Sequence, residues 1–356
     1  MRDLCPPLAL LVVLVSGCPE KGPSQPPDED TPLRVVPRDP VEHAAQKMTQ
    51  GDPQGALEIV ENALTRNPDD PELHFARGVA LQALNKTDAA AAAWESALAV
   101  SPEFVPAIHA LGTVSLDRKA YDDAIERFQT TLQLKPEFTE ARYNLALALL
   151  GVGKVAEATT ALEQTLAERP DDADALVVLA DIHLGAGRPA DARPLTERAV
   201  RAAPGDGGAH AVHGRVLLRQ DEHAAALAAF ERAVELAPAD PNARLGLAQA
   251  QLRTNKVAEA AQTLETLARE VPKAAIVWLE WGTALAKLGR VDEAIEKLDQ
   301  ALELEPTSIA TQVRRIGALG EAKRCKEAKA ALADLQKQKP PAQAVSTAKK
   351  ALAACK

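Results

Sequence analysis

Three groups of residues have types and spacings that could do chemistry. His210 and His213 stand three apart with His223 close behind, a spacing that could offer imidazoles to a metal ion. Gly151, Gly153 and Ala156 fit the G-x-G-x-x-A pattern, in which glycines let a backbone approach a dinucleotide pyrophosphate. Cys325 and Cys355 lie at equal distances before and after Pro340. Helices running antiparallel from a turn at that proline would bring the two thiols face to face. The sequence contains no H-E-x-x-H, no nucleophile elbow and no P-loop.

The elements that must position these residues announce themselves by period. Pro68, Pro102, Pro136, Pro170, Pro204, Pro238, Pro272, Pro306 and Pro340 follow one another at intervals of 34 residues without a slip. Twelve positions before each proline stands an alanine, from Ala56 and Ala90 through to Ala294 and Ala328. Twenty-four positions before it the residue is Gly or Ala, as in Gly78, Gly112, Ala146, Ala180, Gly214 and Gly282, with Ile316 the exception. Small residues at both places let paired helices approach closely. The residue four after each alanine is large and apolar, as in Val60, Trp94, Phe128, Leu162, Phe230, Leu264, Leu298 and Leu332; Thr196 is the weak one. Seventeen positions before the proline stand Gly51, Asn85, Lys119, Gly153, Gly187, Asp221, Asn255, Gly289 and Lys323, mostly residues that tolerate the left-handed conformation of a helix C-cap. The proline itself ends the second helix.

This pattern resembles the tetratricopeptide repeat (TPR), whose unit is a 34-residue helix–turn–helix. The resemblance covers residues 37–342 and implies an all-α solenoid, a right-handed superhelix of nine repeats. It also dissolves the first two candidates. The glycine pattern recurs 34 residues later as Gly185, Gly187 and Ala190, so its glycines serve turns between helices. His210 and His213 occupy packing positions of their repeat, which makes them structural. Every residue from 37 to 342 belongs to a repeat, leaving no room for a catalytic domain. The chain is not expected to be an enzyme or to carry a cofactor.

Residues 8–15 read LALLVVLV, too short to span a bilayer but right for the apolar core of a signal peptide. Val15-Ser16-Gly17-Cys18 follows and resembles the lipobox of bacterial lipoproteins. In that family the cysteine receives lipid and becomes the first residue, so residues 1–17 would be the signal peptide and Cys18 the lipidation site. Residues 18–36 would form a linker, rich in proline and carrying Asp28-Glu29-Asp30. An extended polyproline II tether of this length reaches up to about 60 Å. Residues 343–356, following the last repeat, are expected to form a C-terminal capping helix. Export would also expose Cys325 and Cys355 to an oxidising compartment, where a disulfide is the natural outcome. The expected location is the bacterial envelope, lipid-anchored on the outer membrane, with the face left open.

The chain has 356 residues and a formal charge of −9, which argues against nucleic-acid binding. Apolar residues make up 46%, while aromatics reach only 3%, so the core must close through small aliphatic side chains, as tightly packed helices do. Charge is unevenly placed: residues 314–356 hold eleven Lys or Arg against three Asp or Glu.

What remains for function is surface. In the TPR family the first helix of each unit lines a concave groove. The resemblance therefore implies a partner-binding ladder at its fifth positions: Phe75, His109, Tyr143, Val177, Ala211, Leu245, Leu279 and Val313. Apart from His109 it is apolar, and it is expected to be partly exposed. The family's clamp for C-terminal carboxylates uses Lys and Asn at groove positions. The ninth positions here are instead Val79, Thr113, Leu147, Asp181, Arg215, Gln249 and Thr283, which puts that ligand class in doubt. The expected function is that of a membrane-anchored adaptor or assembly scaffold, taking a peptide or helix of an envelope protein in its groove. The competing reading is a receptor for a glycan or small ligand, using the groove or the basic C-terminal end.

Overall fold

The computed structural model describes residues 39–355. Cys18, the signal peptide and the linker lie outside them. The described residues form nineteen α-helices and a final 3₁₀ turn, Leu352–Cys355, with no strand among them. The first helices of successive pairs are α1 (Pro40–Thr49), α3 (Pro71–Ala83), α5 (Val105–Asp117), α7 (Thr139–Gly151), α9 (Ala173–Gly185), α11 (Gly207–Arg219), α13 (Pro241–Arg253), α15 (Ala275–Lys287) and α17 (Ile309–Glu321). Their partners are α2 (Pro53–Leu64), α4 (Thr87–Val100), α6 (Tyr121–Leu134), α8 (Val155–Glu168), α10 (Pro189–Ala202), α12 (His223–Leu236), α14 (Val257–Glu270), α16 (Val291–Leu304) and α18 (Cys325–Lys337). A last helix, α19 (Ala342–Ala351), has no partner of its own. The helices form two compact units, one ending at Pro170 with α8 and the other running from Asp171.

Local chemistry accounts for many of these boundaries. Asp70, Asp172, Asp206 and Asp240 cap first helices by accepting hydrogen bonds from backbone N–H groups one turn in. The nine turn residues inside the pairs all have φ between +56° and +78°. After each of them the next N–H closes back on a carbonyl of the helix just ended, at 2.8–3.0 Å, for example Lys86 to Leu81 and Arg324 to Leu319. This bond satisfies a carbonyl that the helix end would otherwise leave open.

Packing follows the small-and-large rule read from the sequence. All nine period alanines are 0% exposed. The large residue one turn on presses against the small position of its partner helix. A Cβ added to Gly78 would stand 2.1 Å from Trp94 Nε1, and one added to Gly112 would stand 2.8 Å from Phe128. Phe230 fills the same space between Gly214 and Gly246. These contacts leave no volume for even one more carbon.

The fifth pair is the irregular one. Pro194 lies inside α10, where it removes a helix hydrogen bond, and it sits on the exposed side. At Thr196 the core receives a hydroxyl in place of a large apolar side chain; it is fully buried, and its Oγ1 lies 2.9 Å from His213 Nδ1. At the far end Ala348 of α19 is buried, while Gln343, Ser346, Thr347, Lys349 and Lys350 face solvent, the division that a terminal cap needs. Cys325 and Cys355 stand with Cα atoms 5.4 Å apart, within the usual disulfide spacing, and are joined.

Replacing Pro194 by Ala restores the missing N–H at an exposed site. The expected result in urea unfolding is a gain of about 1–3 kcal/mol; an unchanged midpoint would mean that the helix has already absorbed the proline without cost.

Candidate functional site

The fifth positions of the first helices fall into two classes. In the N-terminal unit Phe75 and His109 are buried, at 2% and 6% exposure, whereas Tyr143 is half-buried. In the C-terminal unit Val177, Leu245, Leu279 and Val313 are half-buried and Ala211 is buried. The expectation of a partly exposed ladder therefore fails at Phe75, His109 and Ala211.

The reason at Phe75 and His109 is a change of cap. The residue before the first helix is Asp in most pairs, but Phe104 precedes α5 and Phe138 precedes α7, and neither makes a side-chain capping bond. Each ring lies instead over the ladder residue of the preceding first helix. Phe104 meets Phe75 edge-on with ring centroids 5.8 Å apart, and Phe138 lies 4.7 Å from His109. A capping hydrogen bond has been exchanged for an aromatic cover. The sequence signal was present, as a phenylalanine in a column of aspartates.

His109 is held by Phe138 on one side and Phe128 on another, and Asn144 Nδ2 lies 3.3 Å from its Nε2. Burial disfavours the imidazolium and pushes the pKa down from 6.5 to about 4. The nearby Glu140 carboxylate pulls the other way but is itself engaged by Arg169 at 2.7 Å.

The ninth positions are mostly spoken for. Val79 and Thr283 are buried. Asp181 of α9 pairs with Arg215 of α11, and Gln249 of α13 donates to Glu280 of α15 at 3.0 Å. Arg215, the one cation in this column, is thus neutralised, and no clamp for a terminal carboxylate is assembled from it. Thr113 and Leu147 stay half-buried, so Tyr143 and Leu147 give α7 an accessible apolar turn.

Two of the three histidines flagged by spacing, His210 and His213, are used by the fold. His210 Nε2 lies 3.1 Å from the carbonyl of Pro204, and His213 is taken by Thr196. The bond of His210 recurs in other pairs. His74, Trp278 and Gln312 reach the carbonyls of Pro68, Pro272 and Pro306 at 2.7, 2.9 and 2.7 Å, and Arg142 reaches that of Pro136. Sequence reading missed this column because its members share a donor but no residue type. Gly153 has φ +78° in its turn, and a Cβ on Gly151 would meet the Tyr121 ring at 2.5 Å.

Two family profiles described as tetratricopeptide repeat match the chain, one over residues 47–113, 115–165 and 217–280, the other over residues 143–207 and 255–309. The chain belongs to the tetratricopeptide repeat family. Solved structures agree on the fold. The TPR chain resembles PilF of Pseudomonas aeruginosa with a TM-score of 0.53 and 19% identity, over 58% of this chain and 93% of that one. It resembles PilW, a widely conserved type IV pilus biogenesis factor, with a TM-score of 0.51 and 19% identity, over 57% and 94%. Its likeness to the Cut9–Hcn1 structure of the APC/C covers 88% of this chain and 84% of that one, with a TM-score of 0.54 and 14% identity. No curated protein matches the TPR chain in sequence.

The buried imidazole makes stability depend on pH. The unfolded chain takes up a proton near pH 6.5 and folded His109 only near 4, so stability is complete above 6.5 and falls as pH drops towards 4. The loss from this group is at most roughly 3 kcal/mol. Urea unfolding at neutral and mildly acidic pH should show it, and His109→Leu should remove most of this pH dependence.

Proposed function

We propose that this protein is an adaptor or assembly scaffold of the bacterial cell envelope, tethered by lipid on Cys18 and binding partner proteins through its first-helix faces. The observation that carries the reading is the half-buried apolar row on those helices. Tyr143 and Leu147 supply it in the N-terminal unit, and Val177, Leu245 and Leu279 in the C-terminal unit. Repeat proteins of this family are in general binding scaffolds rather than catalysts, and His210, His213, Gly151 and Gly153, which hinted at chemistry here, are occupied in packing and turns. Side chains of this kind, held on rigid helices, suit a peptide or an amphipathic helix laid across them. The apolar run before Val15-Ser16-Gly17-Cys18 supports the anchor. PilW's role in pilus biogenesis favours an assembly task by analogy of fold alone.

The Cys325–Cys355 bond fits the same setting, since an exported chain meets an oxidising compartment. It ties α19 to the start of α18. Closing a loop of about 30 residues contributes roughly 3–4 kcal/mol on the chain-entropy account. In a repeat protein that gain stays near its site.

Photo-crosslinking in living cells tests the adaptor reading, with the reactive group at Tyr143 in one strain and at Leu245 in another. A discrete protein adduct at either position, abolished by Leu147→Glu or Leu279→Glu in a chain of unchanged helicity, is the expected outcome. Adducts only to glycan, or none, would favour the receptor reading. Reduction with dithiothreitol should speed amide hydrogen exchange in α19 and leave α1–α8 as they were. Equal exchange with and without reductant would mean that packing alone holds the cap.

A further inference from the structure

The C-terminal end gathers positive charge that folding does not call for. Because Cys355 is bonded to Cys325, the end of α19 lies beside the start of α18. The last turn of α17 is there too: a Cβ on Gly320 would stand 2.6 Å from the Ala351 carbonyl oxygen. Three stretches of chain therefore bring Lys323, Lys326, Lys329, Lys349 and Lys350 to one end, all of them exposed. None of the five has an ion pair among the described residues. Glu327 is held by Arg324, at 2.8 and 2.6 Å, and Asp299 of α16 by Arg315, so the acids left at this end, Glu321 and Asp292, are outnumbered by the lysines.

Two of these lysines stand where the fold resists them. Lys323 has φ +56°, at a turn position that seven of the nine pairs give to Gly, Asn or Asp. Lys326 lies in the first turn of α18, where the helix dipole disfavours a cation; the equivalent places in α4, α6 and α16 hold Asp88, Asp122 and Asp292. Lys329 follows one turn on. Lys349 and Lys350, at the end of α19, are the two that the dipole favours.

The composition of the patch selects its partner. Protein interfaces are built on aromatic and apolar anchors and are poor in lysine. The exposed large hydrophobic residues end at Leu304, so none accompanies this cluster among the described residues. Nor is it arginine-rich, as a site that grips single phosphates in bidentate fashion would be. Mobile ammonium groups without an apolar anchor fit a broad anionic surface. We propose that this lysine-rich end docks on membranes bearing anionic phospholipid headgroups, independently of the acyl anchor and of the first-helix faces.

The test is flotation of the full-length, unlipidated chain with vesicles of phosphatidylcholine alone or enriched in phosphatidylglycerol. Binding should require phosphatidylglycerol and disappear in high salt. Lys326→Gln, Lys329→Gln, Lys349→Gln and Lys350→Gln together should weaken it roughly a hundredfold or more, at about 1 kcal/mol per lysine. The four Lys→Arg replacements should retain it, and both variants should melt like the parent. Equal flotation with the two vesicle types, or full binding by the glutamine variant, would overturn the proposal. Salt-sensitive binding to poly-glutamate with none to either vesicle would overturn it in favour of an acidic protein.

Discussion

The close approach of paired helices is the constraint on which everything else in this molecule rests. Nine alanines with no solvent exposure, and glycines that would collide with Trp94, Phe128 or Phe230 if they carried a Cβ, fix how near two helices come. At that distance a single large side chain per pair fills the remaining volume. The pair then has an apolar face that only its neighbour can cover, and the requirement passes from one repeat to the next. Few aromatic residues are needed because backbones, rather than rings, occupy most of the core.

Once spacing is fixed, the positions outside the contact are free to take different solutions. The residue before a first helix illustrates this. An aspartate there satisfies an open N–H; a phenylalanine leaves that N–H without its side-chain acceptor but shelters Phe75 or His109. The two solutions give the first-helix faces different characters, sealed at α3 and α5, before Phe104 and Phe138, and accessible at α7 and α9, before Asp172 and Asp206. Binding surface in such a protein is set as much by what fails to cover a side chain as by the side chain itself.

The repeat boundaries, the left-handed turn residues and the packing alanines were all legible in the sequence. Each depends on a contact within one 34-residue unit or between its immediate neighbours, and the period displays such contacts as columns. The exposure of the ladder was not legible from its own column. Whether Phe75 is covered is decided by Phe104, a residue of the next unit in a different column. The bonds to the proline carbonyls escaped notice for a related reason: His, Arg, Trp and Gln share a donor at one place while looking unrelated as letters. The pairing of Asp181 with Arg215 is a third case, in which two residues that could each have served a ligand serve one another.

The covalent loop at the C-terminus also determines how tension would travel. A pull on the end of the chain passes from Cys355 through the sulfurs to Cys325 and on into α17, bypassing the residues between the two cysteines. Helices α18 and α19 would remain slack under load, as a stopper knot does beyond the point where a rope is held. Separation from that side would then begin where α17 rests against α16, and the lysine-bearing tip would keep its shape while the repeats behind it opened.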